Sequence, residues 1–167
     1  GVMLDGSTLP FEENIALTKR VVETCSYLDV QVEGELGHVG STADSDMDEF
    51  TTAEDAKKFV EQTGVSCLAV AVGTAHGRYK KPPKIDIERI KDIRKATNNT
   101  ALVLHGGSGV PDEEIKKAVS AGIRKMNFAT DICYTEENIC RGNTMKAILS
   151  YVIENKILTK LTLSKSA

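Results

Sequence analysis

Apolar residues along the chain alternate between short β-rich runs and segments with helical spacing, and each such pair occupies about 25 to 35 residues. This order predicts repeated strand–helix units, and therefore an α/β protein with a parallel sheet. The predicted strands are residues 2–4, 30–36, 65–72, 101–104 and 123–128. The run 65–72 is apolar almost throughout, which indicates a strand buried on both faces.

Four helices are predicted between these strands. Pro10 opens the first helix. The apolar face of that helix is formed by Ile15, Thr18, Val22, Cys25 and Leu28. Thr52 and Asp55 resemble a capping pair for the second helix, which runs through Gln62 and ends at Gly64. The third and fourth helices are predicted at residues 86–96 and 112–121.

Polar and glycine-rich residues follow the carboxyl end of each predicted strand. Binding sites lie at that edge in (β/α)8 barrels and in doubly wound sheets. A closed (β/α)8 barrel needs eight units and typically about 250 residues. This chain has 167 residues and five predicted strands. We therefore expect either a barrel domain that lacks its first part or an open α/β sheet.

Composition narrows the classes of partner. The net charge is -3 and aromatic residues make up 5% of the chain, so the basic stripe of a nucleic-acid binder is missing. No apolar run approaches the roughly 20 residues of a membrane helix, and no leader pattern opens the chain. Four cysteines without CxxC spacing predict reduced thiols in a cytoplasmic protein, with Cys25 and Cys67 as small buried hydrophobes.

Two of the three histidines stand at the carboxyl ends of consecutive strands. His76 and His105 are each followed by glycine, and they are either structural residues or ligands of one shared metal. Imidazole nitrogens suit zinc, and a catalytic zinc needs a third protein ligand. Glu35 is a candidate oxygen ligand or proton-transferring carboxylate, and the alternative is a solvated charge. His38, three residues further on, is interpreted as a rim residue.

The segment Gly106–Gly109 places closely spaced backbone N–H groups and a hydroxyl just before a helix, a geometry that holds phosphate. A second polar edge, 127–130, follows the next strand, and adjacent loops of this kind often form one phosphate site in barrels. Lys80 is a candidate for neutralising phosphate charge. Lys81 and Lys84 beside it indicate that the same segment is equally a plain basic loop.

Five segments follow one another in an order that is highly specific in combination. They are VMLDGSTLPFEENI, VEGELGHVG, AVAVGTAHGRYK, LVLHGGSGVP and KMNFATDI. Together they resemble the class II, zinc-dependent ketose-bisphosphate aldolases, the fructose- and tagatose-bisphosphate aldolase family, from Val2 to about Ile132. The resemblance implies the TIM (β/α)8 barrel family, present here as a partial barrel of about five βα units. It also implies a homo-oligomer.

Members of that family reversibly cleave a ketose 1,6-bisphosphate to dihydroxyacetone phosphate and glyceraldehyde 3-phosphate. By resemblance, His76 and His105 are two of three zinc histidines, and Glu35 is the carboxylate that binds a displaced or second metal and assists proton transfer. The residues that resemble the dihydroxyacetone phosphate site are Gly77, Lys80, Gly107, Ser108, Asn127, Ala129 and Thr130. A monovalent cation such as sodium often lies beside that phosphate.

The chain also departs from the family pattern. The third zinc histidine and the catalytic aspartate belong to a motif on an earlier strand that this sequence lacks. We therefore expect residues 1–132 to be the C-terminal portion of an aldolase barrel and residues 133–167 to be a divergent helical tail. The chain alone should have little activity, and full activity would make Glu35 or Asp5 the candidate base. The alternative is a non-catalytic truncated chain that binds phosphate or pairs with another chain.

Overall fold

A computed structural model of the chain describes residues 1–37, 50–76, 79 and 83–130. Within these residues, strands and helices alternate as the hydrophobic pattern predicts. In chain order the elements are β1 (Val2–Leu4), α1 (Phe11–Ser26), β2 (Val32–Leu36), α2 (Ala53–Thr63), β3 (Cys67–Val70), α3 (Ile87–Ala96), β4 (Ala101–Leu104), α4 (Asp112–Ala121) and β5 (Ile123–Met126). The predicted order of elements is therefore confirmed.

All five strands form one parallel sheet in the order β1-β2-β3-β4-β5. A helix lies between each strand and the next, which allows neighbouring strands to run in the same direction. In the register, Met3 pairs with Glu33 and Glu35 pairs with Ala69. The carboxyl ends of the strands therefore share one edge. This partial, TIM-barrel-like βα repeat confirms the predicted fold class.

The apolar core lies between one face of the sheet and the helices. Alternate strand residues pack there against the inner faces of α2, α3 and α4. Its largest fully buried apolar side chains include Phe59, Leu68, Ile90, Ile93, Leu102, Leu104 and Ile123. Burial of one such side chain is worth about 1.5–3 kcal/mol, so this layer is the main apolar contribution to the stability of the sheet.

The ends of α2 and α3 follow from their capping residues. Thr52 Oγ1 accepts a hydrogen bond from the Asp55 backbone N–H, and Gly64 ends α2 with a positive φ of 72°, as predicted. Asp86 precedes α3 rather than belonging to it, because its carboxylate caps the helix by accepting from Arg89 N–H. These residues set where α2 begins and ends and where α3 begins.

Some sequence-based details are corrected by the structure. Leu28 does not lie on the apolar face of α1, because the helix ends at Ser26 and Leu28 is 74% exposed. The second, third and fifth strands are each shorter than predicted. Cys25 packs against the core but is only partly buried, and Cys67 is also only partly buried. Both are free thiols.

The chain divides into two compact units, Gly1–Phe128 and Ala129–Ala167. The first unit holds every strand and helix described above. Ala129 and Thr130 are the described residues of the second unit. The domain boundary predicted after residue 132 and the helical tail stay predictions, since residues 131–167 lie outside the described part of the chain. None of the helices described has the length and apolar character needed to cross a bilayer.

Candidate active site

Strand β2 places two carboxylates on the sheet face opposite the helices. Its sequence alternates, so Val32 and Leu36 join the helix-facing core while Glu33 and Glu35 lie on the other face. Both glutamates are buried, with 5% and 2% of their surface exposed. Glu35 is therefore not the solvated strand-end charge that the sequence left open. Two buried carboxylates require positive or hydrogen-bonding partners.

His105, the first residue after β4, lies between these two carboxylates. Its Nε2 is 3.0 Å from Glu33 Oε1, and its Nδ1 is 3.2 Å from Glu35 Oε2. The first contact is a hydrogen bond. The second is close but not aligned as a hydrogen bond, and Glu35 Oε2 has no hydrogen-bond partner in the described part of the chain. The imidazole is almost completely buried.

The two carboxylates control the ionisation of this cluster. Contact with Glu35 is the largest effect on His105 and raises its pKa, burial opposes this rise, and the hydrogen bond to Glu33 adds to it. Burial alone would raise the pKa of Glu33. Hydrogen bonds with Lys125 and His105 outweigh burial and lower the pKa of Glu33 instead. The site thus favours positive charge between the glutamates, from an imidazolium or a bound cation.

Lys125 of β5 reaches the same cluster from across the sheet. Its Nζ lies 2.7 Å from Glu33 Oε2, although β3 and β4 separate β5 from β2. Three strand spacings in a flat sheet would amount to about 14 Å. The ion pair therefore requires a sheet that curves toward this face. Cys67 lies nearby, with its Sγ 3.8 Å from Glu33 Oε2, and burial followed by the charge of Glu33 raises the pKa of its thiol.

His76 lies beside His105 at the same strand edge. The two ring centroids are 6.1 Å apart, with an angle of 27° between the ring planes. His76 is exposed, whereas His105 is buried. The structure therefore brings together the two predicted metal histidines and the predicted carboxylate Glu35, with His105 in the middle.

The buried Glu35 Oε2 allows a test of whether these residues suit a metal. In the neutral tautomer that metal binding requires, Glu33 accepts from His105 Nε2–H and Nδ1 presents a lone pair. That lone pair and the unpartnered Oε2 are 3.2 Å apart, and both atom types are zinc ligands. Among the described residues, no three His, Cys, Asp or Glu side chains converge as a complete metal site. The pair fits part of a zinc donor set.

Two buried polar side chains hold the carboxyl end of β2. Asn14 Nδ2 donates to the Glu35 backbone oxygen at 2.9 Å, and Thr18 Oγ1 donates to Asn14 Oδ1. Thr51 joins β2 to β3, since its hydroxyl donates to the Leu36 oxygen and accepts from Ala71 N–H. These bonds fix the backbone of Glu35 and of Leu36, the residue that follows it.

The two loops expected to share a phosphate are in contact through their backbones. Gly107 N–H donates to the Asn127 oxygen at 3.0 Å, and Asn127 N–H donates to the Leu104 oxygen at 3.0 Å. One of the closely spaced N–H groups predicted to hold phosphate, that of Gly107, is therefore already paired with Asn127. The roles of Gly107, buried Ser108 and Asn127 in substrate binding stay predictions.

The other predicted substrate residues are not brought to this site by the described structure. Gly77, Lys80 and His38 lie outside the described residues. Ala129 and Thr130 belong to the second unit of the chain. Their predicted contacts with dihydroxyacetone phosphate stay predictions.

Sequence reasoning missed four residues of the cluster, namely Glu33, Lys125, Asn14 and Thr51. A signal was present for Glu33, because it lies two positions before Glu35 and strand alternation puts both on one face. A lysine inside a short strand was the corresponding signal for Lys125. No local pattern marks Asn14 or Thr51, whose partners are 21 and 15 residues away.

Solved structures similar to this chain are aldolases. The YdjI aldolase from Escherichia coli K12 has 37% sequence identity and a TM-score of 0.65, and the match covers 92% of this chain and 48% of that chain. Fructose-bisphosphate aldolase from Campylobacter jejuni has 28% identity and a TM-score of 0.65, covering 92% and 46%. A candidate fructose-1,6-biphosphate aldolase from Coccidioides immitis has 27% identity and a TM-score of 0.76, covering 93% and 61%.

This chain thus spans about half the length of the structures it matches. A family-level comparison covers more of the chain than the predicted resemblance did. The sequence matches the family described as fructose-bisphosphate aldolase class II over residues 1–160. That match agrees with the parallel βα repeat and with the histidines and glutamates at its strand ends. The chain belongs to the class II fructose-bisphosphate aldolase family.

Proposed function

We propose that this chain is part of a metal-dependent aldolase. The enzyme would reversibly cleave a ketose 1,6-bisphosphate, either fructose or tagatose 1,6-bisphosphate. The products are dihydroxyacetone phosphate and glyceraldehyde 3-phosphate. One observation carries the proposal: His105 Nδ1 and the unpartnered Glu35 Oε2 lie 3.2 Å apart in a buried site at the strand ends. Imidazole nitrogen and carboxylate oxygen are both zinc ligands, and this pair can share either a proton or a bound cation.

The residues that would hold the metal are His105, His76 and Glu35, and the family resemblance implies zinc. When bound, a divalent metal would polarise the carbonyl and hydroxyl oxygens of the substrate and stabilise the carbanion left by carbon–carbon cleavage. Glu33 accepts a hydrogen bond from His105 Nε2–H and so keeps Nδ1 directed toward the site. The Glu35 carboxylate is also the candidate group for assisting proton transfer during the reaction.

Substrate phosphate is assigned to the loops after β4 and β5. The bond from Gly107 N–H to the Asn127 oxygen makes these loops one joined surface, which supports a single phosphate site with a monovalent cation such as sodium beside it. Gly77, Lys80, Ser108, Ala129 and Thr130 complete the proposed set. We assign the protein to the cytoplasm as a homo-oligomer without nucleic-acid or membrane partners, from its composition and family.

Metal dependence is tested on the full chain by titrating zinc and by measuring cleavage of both bisphosphates with zinc or with a chelator. We expect zinc binding, and any cleavage should disappear with the chelator. Glu35→Gln should lower cleavage by about 10²- to 10⁴-fold if Glu35 transfers a proton. Glu23→Gln, at an exposed position of α1, is the matched control and should change neither zinc binding nor cleavage. Cleavage that survives chelation contradicts the metal mechanism.

Phosphate binding is tested separately, because it needs no turnover. Ser108→Ala should weaken dihydroxyacetone phosphate binding more than zinc binding, as measured by calorimetric titration of each ligand. Ser26→Ala removes an exposed hydroxyl at the end of α1 and is the matched control. Equal loss of both ligands on Ser108→Ala would contradict the placement of the phosphate.

A second candidate is a chain that binds phosphate or another chain without catalysis. It is favoured by β1, which lies at an edge of the described sheet with Val2 and Met3 each 43% exposed. Such an edge can pair with a further strand. Phosphate binding without zinc-dependent cleavage, in the assays above, would support this candidate over the aldolase.

A further inference from the structure

The hydroxyl of Tyr79 joins the two loops that carry the candidate metal histidines. Its oxygen accepts from Ala75 N–H at 2.7 Å. The hydroxyl has one proton to donate, and two carbonyl oxygens are within reach of it, that of Ala75 at 2.8 Å and that of Gly106 at 2.9 Å. Ala75 belongs to the loop after β3 and Gly106 to the loop after β4.

Backbone contact between the same two loops is a separate observation. Gly106 has a φ of 66°, and a Cβ atom built on it would lie 2.4 Å from the Ala75 oxygen. No side chain fits between these backbones. The Tyr79 ring also packs closely on the second loop, since a Cβ built on Gly109 would lie 3.3 Å from Tyr79 Cδ2. The ring and its hydroxyl therefore both contact the loop after β4.

The joined residues directly adjoin the two histidines. Ala75 precedes His76, and Gly106 follows His105. Hydrogen bonds at these positions restrict the backbone from which each imidazole projects. Tyr79 itself follows His76 in the loop after β3, so its contact with Gly106 links the His76 loop to the residue that follows His105. Thr51 also bonds the start of the loop after β3, at Ala71, but the Tyr79 contacts lie directly beside the two histidines.

We propose that Tyr79 is a positioning residue that sets the separation of His76 and His105 before metal binds. The inference rests on the proposed metal-dependent function. Outer partners that orient metal ligands typically contribute about 10- to 100-fold to metal affinity. Loss of the Tyr79 hydroxyl should therefore weaken zinc binding by that factor while leaving the sheet and its helices folded.

The test compares the full wild-type chain with Tyr79→Phe, and with Tyr27→Phe as the matched control. Tyr27 is 88% exposed and lies at the end of α1, far along the chain from either histidine. Zinc affinity is measured by competition with a chromophoric chelator. In zinc-free samples, nuclear Overhauser contacts between the two imidazole rings report their proximity directly. Only Tyr79→Phe should lose these contacts and weaken zinc binding.

Retained ring contacts in Tyr79→Phe, or lost contacts with unchanged zinc affinity, would overturn the inference. If the wild-type chain binds no zinc, the proposed function fails, and the ring contacts alone decide the positioning role. Hydrogen exchange of the Ala75 amide in the wild type requires no variant. Rapid exchange there would show that the Tyr79 bond does not form, and would also overturn the inference.

Discussion

The two faces of the sheet are built on different principles. Leu68 and Leu102 lie on the helix-facing side, where closely packed apolar side chains fill the space between the sheet and the helices. Glu33, Glu35 and His105 lie on the other side, where buried polar atoms meet in specific pairs and Glu35 Oε2 lacks a hydrogen-bond partner in the described part of the chain. The helix-facing side stabilises the fold through the volume of apolar side chains that it buries. The other side provides the candidate chemistry through the charges that it brings together. Substitutions on the two faces should therefore have separable effects.

The largest loss of stability is expected on the helix-facing side. Leu102→Ala removes a completely buried side chain and leaves a cavity, which should lower the free energy of unfolding by about 2–5 kcal/mol. Urea denaturation measures this change. Leu28→Ala, at an exposed leucine, is the control and should stay within about 0.5 kcal/mol. Equal effects at the two leucines would contradict the described core.

Gly34 lies between the two glutamates in sequence but faces the helices. A Cβ at this position would be 2.8 Å from Cε1 of the buried Phe59. Overpacking costs about 1–3 kcal/mol, and the reduced freedom of the unfolded chain offsets about 0.4–1 kcal/mol. Gly34→Ala should therefore lower the free energy of unfolding by about 1–2 kcal/mol in the same urea assay. A variant as stable as the parent would show that Phe59 can move aside.

Glu33→Gln tests the polar face. It removes the charge that pairs with Lys125 and His105 but keeps a side chain of similar shape. Because Lys125 is half exposed and can be hydrated, the stability loss should be about 1 kcal/mol. Zinc affinity should fall by about 10-fold, since the neutral amide of glutamine orients His105 more weakly than the carboxylate does. Zinc titration should show no change for Glu113→Gln, whose pairing with Lys116 lies at the surface.

The smallest effect concerns pH. The folded chain raises the pKa of His105 above the unfolded value of about 6.5. The resulting stabilisation is complete below that value and is lost as the pH rises through the raised pKa. In chelator-treated samples, the difference in free energy of unfolding between wild type and His105→Asn should be larger near pH 6 than near pH 9. The change is that expected when the folded state binds one proton more tightly than the unfolded state. An unchanged difference would contradict the ion cluster.

Much of the fold could be predicted because each element carries its own local signals. The capping pair at Thr52 and Asp55 and the glycine at Gly64 marked α2 at both ends. Leu28 misled because helical spacing continues past the residue where the backbone leaves the helix. The strand lengths were overestimated, since apolar residues continue into loops that pack on the core.

Less of the site could be predicted, because its contacts join residues far apart in sequence. Strand-end position identified His105 and Glu35, and the structure brings them together. Lys125 is 92 residues from Glu33, and no local pattern encodes that pairing. The occupied amide of Gly107 was likewise invisible, because it depends on how closely two loops approach each other in space.

The ion pair between Lys125 and Glu33 has a mechanical consequence. The ion pair spans the concave face of the sheet from β5 to β2, across the two strands that lie between them. Flattening the sheet would lengthen the Lys125–Glu33 distance before any backbone hydrogen bond between neighbouring strands breaks. The Glu33 carboxylate binds both Lys125 and His105, so it couples the curvature of the sheet to the orientation of the imidazole. A change that flattens the sheet would therefore also weaken the positioning of His105.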